Sequence, residues 1–179
     1  MTESKAAANK PKNPSKKRLP GGKGTEVARQ RQELYGAANV RLKSAYEAGF
    51  YIECVAICES IICDRLEARL QFLSRNTTKL APVLSLGFVI KAIGKSGLET
   101  EPNLFAAYEK ISIWAEARND VVHQFVKRTD VDKALSAEER QTVSRATAET
   151  GIELMKEISR LVRRHNKWEA SKEGDVKAR

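Results

Sequence analysis

From Thr25 onward, apolar residues recur every three or four positions and never alternate in the two-residue rhythm of a strand. A chain with that spacing hides its apolar surface by forming helices, because intervals of three and four gather side chains on one helix face. Leu34, Ala38, Leu42 and Ala45 define a first helix to about Ala48, and Gly49 halts it. A second helix runs from about Phe50 to Leu73. Pro82 suits the first turn of a helix but not its interior, so a third begins there. Val83, Leu86, Ile90 and Ile93 form its stripe, Gly94 and Gly97 end it, and Lys95–Pro102 reads as a loop. A fourth helix spans about Leu104 to Val126, and Thr129–Leu135 is a polar connection. Ser136-Ala137-Glu138-Glu139 has the Ser-x-x-Glu form of a capping box and opens a fifth helix to about Trp168. The expected fold is all-α, an antiparallel bundle of about five helices joined by short loops.

The chain has 179 residues, enough for one core without disulfide staples. Residues 1–24 carry seven basic side chains against Glu3, so +6 of the net +9 lies in this segment. It has almost nothing to bury and is expected to be a disordered basic tail, either an arm for nucleic acid or an acidic partner, or a solubilising extension. The bundle is expected over 25–170, followed by a short disordered tail at 171–179. Cys54, Cys58 and Cys63 fall within one helix and lack Cys-x2-Cys spacing, so they read as reduced core residues of a cytoplasmic protein. Residues 1–24 hold no apolar signal segment, and the longest apolar run, Leu80–Ile93, is too short for a bilayer. No membrane partner is expected.

Two charges fall on faces that should be buried. With Ile111 as the origin and about 100° per residue, Trp114, Ala115, Val121, Val122 and Phe125 form the apolar arc of the fourth helix, and Arg118 lies inside it at about 340°. In the second helix Ile52, Val55, Ile62, Cys63, Leu66 and Leu70 form the arc, with Glu59 in its middle. A lone charge on either stripe would cost several kcal/mol, roughly the penalty for breaking a buried pair. Glu59 and Arg118 are therefore expected to approach each other or share a small polar pocket, either functional or a purely structural pair; the alternative is that one or both snorkel to the bundle edge. His123 lies on the polar margin, about 140° round the axis from Arg118. One straight helix does not aim both at one point, whereas a two-fold homodimer places two copies of the segment across one cleft.

Arg118-Asn119-Asp120-Val121-Val122-His123, late in a helical bundle with Glu59 upstream, resembles the Arg-x4–6-His motif of the HEPN superfamily. Gly49-Phe50-Tyr51-Ile52-Glu53 and the helix Ala56–Leu73 are similar to the second helix of such domains, and the resemblance covers roughly residues 30–165. It implies a dimeric, metal-independent endoribonuclease of the kind found in toxin–antitoxin, phage-defence and RNA-processing systems. Arg118 and His123 would be the catalytic pair, Asn119 the polar residue that often follows the arginine, and Glu59 the supporting acid. One toxin branch has a tyrosine two residues after the histidine. Phe125 stands there in this chain, which sets it apart from that branch.

The residue types suit the chemistry. RNA supplies its own nucleophile in the ribose 2′-hydroxyl. A histidine titrates near neutrality and can move the protons, and an arginine presents a planar fork to phosphate oxygens. No cofactor or metal is called for. Lys156, Arg160, Arg163 and Lys167 follow one face of the fifth helix, with Arg164 beside them. They either track an RNA backbone or form a solvated face partly neutralised by Glu153 with Lys156 and Glu157 with Arg160. His165 and Trp114 read as packing residues. Alternatives to the nuclease are a catalytically silent adaptor for RNA, a nucleotide or a protein, and a plain helical interaction protein. An antitoxin or companion protein is a further expected partner of the nuclease.

Overall fold

The computed structural model describes residues 26–74, 85–124 and 135–177. Each of its elements is an α-helix: α1 (Glu26–Glu47), α2 (Tyr51–Leu73), α3 (Leu86–Ser96), α4 (Pro102–Gln124) and α5 (Ala137–Lys177). The all-α bundle expected from the periodicity is therefore present. The basic tail at 1–24, Pro82 and Phe125 lie outside the described residues.

Local chemistry sets the helix ends. Gly49 takes φ of 77°, which an L side chain resists. The Phe50 amide then donates to the Ala45 carbonyl at 2.8 Å and the Gly49 amide to that of Tyr46 at 3.1 Å, so the chain reverses tightly into α2. Ser85 caps α3 by accepting from the Phe88 amide at 3.3 Å, and Gly97, at φ 62°, closes it. The described start of α3 is thus set by a serine cap rather than by Pro82. Pro102 opens α4, two residues before the expected start, where its missing N–H costs no helical bond. The capping box is formed as expected: the Glu139 amide donates to Ser136 Oγ at 3.1 Å, and Glu139 Oε2 accepts from the Ser136 amide at 2.7 Å. One end differs. The helix continues to Lys177, about two and a half turns beyond Trp168, and takes in most of the segment read as a C-terminal tail. The charged residues there carry no apolar stripe, but nothing between Trp168 and Lys177 breaks a helix except Gly174.

The central element is α2, which packs on α5, α1, α3 and α4. Its burial is correspondingly broad: Cys54, Val55, Cys58, Ile61, Ile62, Leu66 and Leu70 are all enclosed. A helix covered on several sides has no single stripe, so the arc read from sequence is too narrow. Cross-helix contacts give the directions. Arg41 pairs with Glu53 and Arg31 with Asp64, so α1 runs against α2. Trp114 bonds to Thr147 and Lys110 to Glu157, so α4 runs against α5. The most extensive interface, α2 with α5, is parallel. The free cysteines Cys54 and Cys58 are buried and Cys63 partly so, and burial pushes the Cys58 and Cys63 thiols up to about 12. None of the described helices is long and apolar enough to cross a membrane.

Candidate active site

On α4 the buried side is built by Leu104, Ala107, Tyr108, Ile111, Trp114 and Val121. Trp114 is locked there. Its indole N–H donates to the Thr147 carbonyl at 2.9 Å, and its ring lies against Gly151, where even a methyl group would approach to 2.7 Å. Val122, expected in the apolar arc, is instead 37% exposed. The buried stripe turns toward Trp114 and Val121, the side that α5 covers, and leaves Val122 at the margin.

Arg118 occupies the flank of this stripe facing α2. Its Nη2 donates to Glu59 Oε1 across the two helices, and its Nη1 donates to Asn119 Oδ1 at 2.6 Å. The side chains of Arg118 and Glu59 are 21% and 29% exposed, so the pair is half-buried and open on one side. Arg118 Nε is buried and has no hydrogen-bond partner. The expected approach of Glu59 and Arg118 is therefore found, and neither charge snorkels free. The three groups make a held guanidinium, one edge fixed by a carboxylate and another by an amide, near enough to the surface to meet an anion.

His123 is not part of this cluster. It is exposed, and it forms no hydrogen bond to Arg118, Asn119 or Glu59 among the described residues. The five-residue spacing turns it about 140° from Arg118, as the sequence implies. The basic face of α5 is exposed at Lys156, Arg160 and Arg163, and the Lys167 side chain lies outside the described residues. Its neutralisation differs from the expected one: Glu157 pairs with Lys110 of α4 at 3.1 Å rather than with Arg160. Cross-helix contact outcompetes the local pair because α4 brings its lysine alongside. Among the described residues no three histidine, cysteine or acidic side chains converge as a metal site. An open groove of about 530 Å³ between α4 and α5, lined by Lys110, Ile113, Trp114, Thr147 and Glu153 among others, does not include Arg118, Glu59 or His123.

A second ionic cluster was not anticipated. Arg69 and Glu99 are paired through two bonds, Nε to Oε2 at 2.9 Å and Nη2 to Oε1 at 2.8 Å, with side chains 0% and 1% exposed. Tyr108 donates to Glu99 Oε2 at 2.8 Å, the Thr100 and Glu101 amides donate to Oε1, and Arg69 Nη1 reaches Asn166 Oδ1 at 2.9 Å. Beside it His165 is buried as expected of a packing residue, with Nδ1 3.4 Å from Glu101 Oε2 and Nε2 unpartnered. Enclosure leaves a ligand no route to Arg69. The network ties the α3–α4 connection to α2 and α5. Arg69 was legible by the reasoning that marked Glu59, since it lies seven residues beyond Ile62 on the same stripe. Glu99 sits in a loop, where no periodicity flags it.

No family model matches the chain, and neither a curated protein nor a solved structure matches it.

Proposed function

We propose that this protein is a metal-independent endoribonuclease of HEPN type that works as a homodimer in the cytoplasm. The observation that carries the reading is the Glu59–Arg118 pair, which holds a half-buried guanidinium beside Asn119 and on the same helix as His123. Arg118 grips the scissile phosphate and offsets its growing charge. Glu59 acts as a positioning residue for Arg118, and Asn119 adds a polar contact to the phosphate or to His123. His123 serves in proton transfer, as the base that takes the 2′-hydroxyl proton or as the acid that protonates the leaving 5′-oxygen. The 2′-oxygen forms a bond to phosphorus as the bond to the 5′-oxygen breaks, giving a 2′,3′-cyclic phosphate and a 5′-hydroxyl. Two copies related by a two-fold axis supply the second histidine and close the angular gap between Arg118 and His123. Lys156, Arg160, Arg163 and Lys167 contribute to RNA binding, and an antitoxin or companion protein restrains the activity.

A second reading is favoured by one feature: within a single chain the guanidinium is occupied by Glu59 and Asn119 while His123 stands apart. On that reading the same pocket belongs to a catalytically silent module that binds RNA, a nucleotide or a protein. An RNA-cleavage assay on the wild type, Arg118→Ala and His123→Ala separates them. The nuclease reading expects cleavage that survives EDTA, yields cyclic-phosphate ends and falls in both variants. Cleavage that persists in both variants and vanishes with EDTA overturns it, and RNA binding without any cutting favours the silent module.

A further inference from the structure

A different face of α2 carries an unused cationic cluster. Both α1 and α5 pack on α2, and they meet each other where the Tyr46 hydroxyl donates to Glu149, so α2 forms the floor of the seam between them. Arg65 rises from that floor. Its guanidinium lies 4.0 Å from the centre of the Tyr35 ring on α1, and its buried Nε has no hydrogen-bond partner. The nearby carboxylate, Asp64, is already engaged by Arg31 and by the Tyr35 hydroxyl. Across the seam, the exposed Arg163 of α5 spends its Nε on the Ser159 carbonyl at 2.8 Å. Arg160 is exposed on the same face of α5, about 60° round and about 4.5 Å along the axis. Burial lowers the Arg65 pKa, and the like charges of Arg163 and Arg31 add to that, while Tyr35 and Asp64 oppose it. Three helices thus hold like charges together at some cost, and an anion at the seam would relieve it.

We infer that the α1–α5 seam, through Arg65, Arg160 and Arg163 with Arg31 at its edge, binds the phosphate backbone of single-stranded RNA at a site separate from Arg118. Phosphate fits best because guanidinium forks match its oxygens in pairs, and two of the cations, Arg160 and Arg163, follow one face of α5 beside Arg65. The site is separate because Arg65 lies six residues from Glu59, about 120° round α2 by the shorter way. Nucleic acid is taken as the ligand from the function proposed above; the binding itself does not depend on cleavage.

The test uses the full chain in an Arg118→Ala/His123→Ala background with EDTA present, so that neither the proposed site nor a metal-dependent activity cuts the RNA. Binding of a fluorescent single-stranded RNA is followed by anisotropy over a range of salt. Arg65→Gln/Arg163→Gln is expected to weaken binding by about tenfold or more at low salt and to flatten the log–log salt slope by about 1.4, at about 0.7 per phosphate contact on a single strand. Lys91→Gln/Lys95→Gln removes the same charge from exposed positions on α3 and is expected to change little. Arg160→Gln/Arg163→Gln alters exposed α5 residues only, so a fold defect at Arg65 leaves the question answerable. Equal losses in the α3 and seam variants, or an unchanged slope in the seam variants, would overturn the assignment. So would equally tight, seam-dependent binding to phosphatidylserine vesicles.

Discussion

Replacing Arg69 by methionine leaves a carboxylate stranded inside the bundle, and the consequence has a sign as well as a size. In the native chain burial raises the Glu99 pKa, but the hydrogen bonds and charge of Arg69, with Tyr108 and the Glu101 amide, outweigh it and hold the group below the ordinary carboxylate range. A depressed acid stabilises the fold above its unfolded pKa and loses that contribution as pH falls through the folded value. Without Arg69 burial dominates, the folded pKa moves above the unfolded one, and the sign reverses. The penalty is then full at alkaline pH and fades as the carboxyl protonates. With side chains 0% and 1% exposed, solvent screening gives little relief. The expected loss at about pH 8 is roughly 3–5 kcal/mol, a large share of the roughly 5–15 kcal/mol that holds such a domain. Urea unfolding followed by far-UV circular dichroism, at about pH 8 and about pH 5, measures it. Arg69→Met should be markedly less destabilised at the lower pH. Arg69→Met/Glu99→Gln, which removes both charges, should recover more than half the loss at the higher one. A loss below about 1 kcal/mol, or one equal at both pH values, would refute the reasoning.

Two helical glycines should respond to alanine in opposite directions. Gly36→Ala, with open space around the new methyl, should stabilise by about 0.5–1 kcal/mol, whereas Gly151→Ala meets Trp114 at 2.7 Å and should cost about 1–3 kcal/mol in thermal melts. A Gly151→Ala protein as stable as wild type would mean that Trp114 is not held in place. Glu59→Gln keeps an acceptor for Arg118 but removes the charge, and misaligning a phosphate-gripping group can cost up to about 10²-fold. Single-turnover RNA cleavage should slow while RNA affinity changes little, and an unaltered rate would remove Glu59 from the site. The thiols, two of them with pKa values pushed to about 12, should resist Ellman's reagent at mildly alkaline pH and all three should react in guanidinium. Rapid labelling of more than one thiol in the folded protein would contradict the burial of Cys54 and Cys58.

Apolar spacing and punctuation alone determine that this chain is helical and roughly where each helix turns. Gly49, Gly97 and the Ser136–Glu139 box act within a few residues of backbone, so their effects are legible in linear order. The pairing of Glu59 with Arg118 was legible too, because a charge on a buried stripe demands a partner and each helix offered one. Tertiary structure decided the rest. Only the packing of four helices around α2 widens its buried surface beyond one arc and encloses Cys54, Cys58 and Ile61 as well. The α3–α4 connection can bring Glu99 to that arginine because a loop folds back on the bundle, an event with no period to read. The position of His123 follows the same logic: its angle on α4 belongs to the sequence, but what it faces depends on the surfaces brought against it. Local hydrogen bonds are written in neighbouring residues, while enclosure is a property of the whole assembly of helices.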